Sequence, residues 1–524
     1  MTYISQVFFG QFGRWTLARC TVSFDATVTP AVAPAVAPAV AAPVTSAVVS
    51  AVALAVAQAV SSNNVCRYDI RDGSGAARDM YQRYGPIVVQ QLPGRRAIVR
   101  LFSANDIRML YQEEGRTPRH VGSLALKLFH QSQKPQFFAN DGLLHAQGDE
   151  WRRIRSQTHT SVSAPCVVQG YAEGIADVVD DTISLIASAR DEKEEVEDCH
   201  VLMRRWALES TMLLTVDERL GVLEPNLDAH STAANMFNIK EDLFCILNTL
   251  TTSFPYYLFF PTPMWRQFRR RGHEAIRLLL PLVRTAAERA EHMAEEERPT
   301  LAASLRRAGM QSFKEIFTFV FDFIMAGSET VAAGATYCLY CLAMNPLAQQ
   351  KAREEVQSVL SKAPDSEIAL KYMELSYVKA CIRESLRLYP IVTGIHRKLD
   401  HDVVMSGYMI PKNTVLRTEI FVSGRLEENF TRASEFIPDR WLRGSGDRLS
   451  EHLENWTHHP FASLPFSSGV RMCIGRRIAE MEMCILVAKV LQTFRVENHY
   501  GDIGFLSQLT SHPQKPARFR FIKL

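Results

Sequence analysis

The chain has 524 residues, 47% of them hydrophobic and 22% charged, and a formal net charge of +3. That is ordinary globular composition with apolar material for a large core, and the charge is too balanced to imply nucleic acid. Ten cysteines without framework spacing read as free thiols of a reducing compartment and not as a disulfide scaffold.

Residues 1–66 contain one acidic residue, Asp25, and no lysine, while Arg14 and Arg19 sit among Phe8, Phe9, Phe12, Trp15 and Leu17. An acid-poor, arginine-bearing, amphipathic start is the pattern of a mitochondrial transit peptide. Pro30, Pro34 and Pro38 then recur in Ala/Val text, which excludes a helix and favours an extended chain. The apolar stretch 47–60 falls short of the about 20 residues a membrane span needs. The expected organisation is a transit peptide and disordered Ala/Val/Pro-rich segment over 1–66, then one large unit over 67–524.

In that unit, residues 87–89 and 97–101 alternate like paired strands around the turn Pro93-Gly94. Helical periodicity dominates from Ala104. The acidic runs 191–198 and 295–297 read as solvated faces or loops. The longest helical pattern runs from Phe313 to Met344 and stops at Asn345-Pro346. Beyond Pro390 the text turns to short strand and turn signals over 402–416, and a last helix is expected from about Arg476 to Phe494. The class is mainly α with a minor β part. Gly73-Ser74-Gly75 has no third glycine at Arg78, so dinucleotide binding gets no support, and neither HExxH nor GxSxG occurs. Cys338 and Cys341 form a CxxC inside apolar helical text, where packing explains them better than zinc.

One cysteine has a distinctive setting: Phe466-Ser467-Ser468-Gly469-Val470-Arg471-Met472-Cys473-Ile474-Gly475. Gly469 and Gly475 let the backbone turn tightly and approach a flat ligand. Arg471 supplies positive charge, and the helix beginning near Arg476 points its amide N–H groups back at the sulfur, favouring thiolate. A thiolate in such a loop suits a haem iron that must cleave O–O.

This loop resembles that of the cytochrome P450 family, Phe-x-x-Gly-x-Arg-x-Cys-x-Gly, at every fixed position. The resemblance implies a prism of helices with small sheets, and haem b held between the long central helix and the loop, with Cys473 as the iron ligand. It implies cofactor contacts from Phe466, Gly469, Arg471 and Gly475, from Trp151 and Arg155, from Ala326, and from Arg397. It also implies a buried structural triad of Glu384, Arg387 and Arg440. A bare Glu/Arg pair at i,i+3 is otherwise a commonplace helix ion pair. On the long helix, Ala326-Gly327-Ser328-Glu329-Thr330 resembles the family's oxygen-activation motif, with Thr330 orienting water and Glu329 feeding protons. Val331 departs from the pattern, since a second hydroxyl is common there.

Lys379, Arg383, Arg476 and Arg477 resemble the docking residues of the mitochondrial branch, whose electron donor is a small acidic [2Fe–2S] ferredoxin; scattered solubilising charge is the alternative. The segment from Phe254 to Phe260, followed by Arg266 and Arg269, is either buried core or a peripheral membrane contact. The resulting expectation is a mitochondrial monooxygenase, peripheral to the inner membrane on the matrix side. It would use O2 and electrons from NADPH, passed through ferredoxin reductase and the ferredoxin, to hydroxylate a small lipophilic substrate, a steroid or ecdysteroid, since the chain resembles the arthropod ecdysteroid hydroxylases. The alternatives are a microsomal-type enzyme on xenobiotic or fatty substrates, or a haem-thiolate isomerase or dehydratase, which usually lacks the hydroxyl that Thr330 provides.

Overall fold

The longest apolar helical pattern becomes the central helix of the molecule. The computed structural model describes residues 72–91, 97–134, 136–292, 300–361, 368–442 and 458–524. The transit peptide, the disordered segment, the stretch 47–60, the 66/67 boundary, the Pro93-Gly94 turn and the acids at 295–297 lie outside the described residues.

The helices that position the site are α1 (Gly148–Ser163), α2 (Ala172–Ala189), α3 (Cys199–Val216), α4 (Thr232–Thr252), α5 (Pro263–His292), α6 (Phe313–Met344), α7 (Pro346–Leu360), α8 (Ser376–Leu388) and α9 (Arg476–Thr493). At 1.5 Å per residue α6 is about 48 Å long. It ends because Pro346 opens the next helix and Asn345 leaves helical geometry, its side-chain amide donating to the Cys341 carbonyl at 2.7 Å. By length and composition α6 could cross a bilayer, yet 67% of its most apolar window is buried within protein. Helices α3, α8 and α9 pack along it. At Gly334 the fit to α9 is tight, for a Cβ there would meet Met483 Sδ at 3.0 Å. Cys338, Cys341, Cys381 and Cys484 are buried free thiols of this helical core.

The β part is small. Five strands order as β1 (Ile87–Gln90), β2 (Ile98–Leu101), β5 (Val415–Thr418), β4 (His396–Lys398) and β3 (Arg119–His120), with only β2 and β5 parallel. The β3–β4 pairing sets His120 opposite Arg397, a juxtaposition across 277 residues of sequence. The expected mainly α class with short strands is what the chain forms. The acidic run 191–198 is more ordered than a solvated loop. Asp191 accepts from the N–H groups of Lys193 and Glu195, and Asp198 caps α3 by accepting from His200 N–H at 3.0 Å. Residues 195–196 form a strand on the C-terminal strand Phe519–Lys523.

Candidate active site

The Cys473 loop is a hydrogen-bonded turn. Cys473 N–H donates to the Phe466 carbonyl at 2.9 Å and Met472 N–H to the Gly469 carbonyl at 3.1 Å. Gly469 takes φ +72°, and a Cβ there would lie 2.3 Å from Glu114 Oε1, so glycine is needed for conformation and for space. Gly475 has an ordinary φ of −83° at the N-cap of α9; its missing side chain faces Phe323 of α6, whose ring would be 3.9 Å from a Cβ. The amides of Gly475 and Arg476 hydrogen-bond the Cys473 sulfur, and Arg155 and Arg476 act on it electrostatically. Burial in protein nevertheless outweighs them and pushes the thiol above its usual range, although the residue keeps solvent-accessible surface. The free side chain is thus a thiol, and coordination by a metal is what would deprotonate it. Two anchors brace the loop: Tyr111 hydroxyl to Ser467 Oγ at 3.0 Å, and Ser163 Oγ donating to the Ile474 carbonyl at 2.7 Å.

Positive charge accumulates beside the loop. Arg471 lies over the Trp151 ring, 4.2 Å from its centroid, and donates to the Ala146 carbonyl at 2.8 Å. Its Nε is buried without a hydrogen-bond partner among the described residues. Burial, and then repulsion by Arg397 and Arg155, lower its pKa to about 9 against attraction from Glu114. Arg397 is buried and ion-paired to Glu114 at 2.7 Å, with His120 Nδ1 3.1 Å from its Nη1. Burial and the arginines drive His120 down to about 3, so the ring is neutral. Arg155 has no carboxylate partner among the described residues; burial lowers its pKa, and Cys473, once a thiolate, is the group that would oppose this. Three arginines with one carboxylate between them leave uncompensated positive charge around the cysteine, which fits a dianionic cofactor such as haem b. His120 carries no local motif, and the sheet pairing brings it to Arg397.

Across from the loop, Thr330 donates its hydroxyl proton to the Ala326 carbonyl at 2.9 Å, leaving its oxygen lone pairs as acceptors. Glu329 is buried on α6 and accepts from Lys240 Nζ of α4 at 3.0 Å. Burial alone would raise its pKa, but Lys240 overcomes that and holds it below the ordinary carboxylate range. His200 approaches at 3.9 Å, yet burial drives that ring down to about 3, so it is neutral and the approach is no ion pair. Glu329 is therefore an anion.

Glu384 lies at the centre of a saturated knot. Arg387 grips it with Nε at 2.9 Å and Nη2 at 2.8 Å, Arg440 Nε joins at 2.8 Å, and Ile437 N–H and Trp441 Nε1 complete the set at 3.0 and 2.8 Å. The remaining arginine donors meet carbonyls of Gly424, Ala433, Glu435, Thr431 and Arg432. Burial raises the carboxyl, and the two arginines more than reverse that. Trp441 is a member that the motif does not announce.

Lys379, Arg383 and Arg477 are exposed. Arg383 lies 4.2 Å from the Trp441 ring centroid and feels Arg476 as a repelling neighbour. Arg476 is paired to Glu480 at 2.9 Å, and Arg477 donates to the Ser163 carbonyl at 2.5 Å. On another surface, Phe259 is 73% exposed, with Tyr256, Leu258 and Phe260 also exposed, so most of this run lies outside the core, while Tyr257 packs against it.

A family model described as Cytochrome P450 matches residues 69–519. The chain is 33% identical over 451 residues to a Drosophila melanogaster protein named probable cytochrome P450 12a5, mitochondrial, with 84% of each chain covered. It is 31% identical over 452 residues to cytochrome P450 CYP12A2 of Musca domestica, again with 84% of each covered. It is 30% identical over 448 residues to cytochrome P450 302a1, mitochondrial, of Drosophila melanogaster, covering 84% of this chain and 87% of the relative.

Proposed function

The chain belongs to the cytochrome P450 family, a family of haem b monooxygenases, and from that premise we propose a mitochondrial enzyme that takes electrons from a [2Fe–2S] ferredoxin to hydroxylate a lipophilic substrate of steroid or ecdysteroid type. The observation that carries the reading is the exposed cationic group of Lys379 and Arg383 on α8 and Arg477 on α9, the helix that begins at the Cys473 loop. A small acidic protein is the complement of such a face. The acid-poor N-terminus and the word mitochondrial in the relatives' names support the compartment, and the exposed aromatic run before Arg266 supports peripheral contact with a membrane.

Haem b held by Cys473 would supply the redox chemistry by which dioxygen is activated, which electron donation from a thiolate favours. The chain's own groups do the rest. Two amides and Arg155 stabilise negative charge on Cys473, while Trp151, Arg155 and Arg471, with Arg397 behind them, supply donors for the cofactor's carboxylates. Thr330, its proton committed to Ala326, accepts from a water and so orients it. Glu329, kept anionic by Lys240, accepts protons from solvent and passes them on.

The test is reconstitution with NADPH and either ferredoxin reductase plus ferredoxin or a microsomal flavoprotein reductase. Turnover with the first pair is expected, with a KM for ferredoxin raised at least tenfold by K379E/R383E and an unchanged carbonmonoxy spectrum. Turnover with the flavoprotein alone would contradict the reading.

A further inference from the structure

One carboxylate sits among the arginines beside the Cys473 loop, and it is held there from two sides. Glu114 is the C-cap of the helix Ala104–Glu113. Its Oε2 accepts from Arg397 Nε at 2.7 Å, with both side chains buried. Its Oε1 lies against the loop, so close that a Cβ on Gly469 would come within 2.3 Å of it. One turn earlier on the same helix the Tyr111 hydroxyl meets Ser467 Oγ at 3.0 Å, which fixes the helix end against the loop. Burial raises the Glu114 carboxyl, while Arg397 and then Arg471 draw it down. A guanidinium does not give up its proton in a protein, so the close pair favours the anion.

The charges around the loop then come to balance. Arg155, Arg397 and Arg471 carry three positive charges, and Glu114 is the carboxylate that acts on two of them, Arg397 and Arg471. The two positive charges left over match the two carboxylates of haem b. Without Glu114 a buried guanidinium would lack its counter-charge, and an uncompensated positive charge favours an electron that arrives nearby. We propose that Glu114 is a positioning residue that orients Arg397 and sets the haem midpoint potential, its negative charge making the iron harder to reduce. This rests on the haem-thiolate reading above and deepens it. His120 supplies an internal contrast. Its Nδ1 lies 3.1 Å from Nη1 of the same guanidinium, yet burial, with Arg397 and Arg471, holds the ring down to about 3, so it brings orientation and no charge. A unit charge acting across roughly 10 Å at an effective dielectric near 20 changes an equilibrium on the order of tenfold.

The experiment is spectroelectrochemical titration of the haem-loaded full chain without ferredoxin or substrate, so its outcome depends on neither. E114Q keeps the shape of the side chain and an oxygen for Arg397 but removes the charge. Its ratio of reduced to oxidised haem at fixed ambient potential is expected to rise roughly tenfold, with haem content and the carbonmonoxy maximum unchanged. H120Q replaces one neutral group with another and is expected to leave the ratio where it is. H120E adds a carboxylate at the same guanidinium and is expected to lower it. An unchanged ratio in haem-loaded E114Q overturns the proposal, as does a rise in H120Q as large as that in E114Q. If E114Q holds no haem, H120E decides: a lowered ratio supports the charge role, and an unmoved or raised one overturns it. Wild-type protein without the carbonmonoxy maximum of thiolate ligation would instead overturn the reading on which the proposal rests.

Discussion

Two buried polar clusters flank the helical core and are built in opposite ways. Around Glu384 every strong donor and acceptor is answered: two arginines, an indole and a backbone amide converge on one carboxylate, and the arginines' other donors meet carbonyls. Where the helix Leu124–Gln133 meets α6, His130 Nε2 lies 3.0 Å from Asp322 Oδ1, yet both His130 nitrogens and Asp322 Oδ2 have no hydrogen-bond partner among the described residues. The first arrangement holds structure together, because removing any member strands the rest. The second is held by proximity and packing and not by saturated hydrogen bonding, so losing a member strands less.

The contrast can be broken by substitution. Glu384→Gln leaves two buried guanidinium groups uncompensated and is expected to cost about 3–5 kcal/mol, seen as loss of soluble, haem-loaded protein on expression; a variant with wild-type haem content and thermal midpoint would break the comparison at its strong end. A third buried carboxyl gives a smaller, pH-dependent effect. Burial pushes Glu482 up to about 8, and one of its oxygens lacks a partner. A folded-state pKa above the unfolded value means that stability is fully present below the ordinary carboxylate pKa and is lost as pH rises through about 8. Glu482→Gln should therefore raise the thermal midpoint at pH 8 and leave it nearly unchanged at pH 5, so a gain of equal size at both would contradict the assignment. Smallest is His130→Phe, which removes two unanswered nitrogens from an aromatic nest. Its stability, read by chemical denaturation, should change by less than about 1 kcal/mol or increase, and a loss as large as that of Glu384→Gln would show that the cluster is structural.

Catalysis offers a further check on the anionic Glu329. Lys240→Met removes the charge that holds the carboxyl low, so its pKa rises and the base is lost as pH falls. Activity of this variant should decline toward acid pH well before that of the wild type, and superimposable pH profiles would sever the link between Lys240 and Glu329.

What could be read from the sequence follows range along the chain. The Cys473 loop places its chemistry within ten consecutive residues, so the turn, the glycine at φ +72° and the amides aimed at sulfur are consequences of local spacing. Helix α6 was readable for the same reason, since its periodicity and its Asn345-Pro346 stop are local. Glu114 was not readable as the partner of Arg397, 283 residues away, nor was Lys240 as the partner of Glu329 from another helix. At Cys473 the local spacing of amides and arginines favours thiolate, while burial, which no local spacing displays, reverses the net shift of the free thiol. The aromatic run from Phe254 to Phe260 could be core or surface by composition, and only packing decides that it is exposed.

The central claim is that Cys473 binds haem iron through sulfur as thiolate. The most direct measurement is the absorption spectrum of the purified, reduced, CO-bound protein. The thiolate assignment predicts a maximum near about 450 nm that Cys473→Ser abolishes. A maximum near about 420 nm in folded wild-type protein would contradict it.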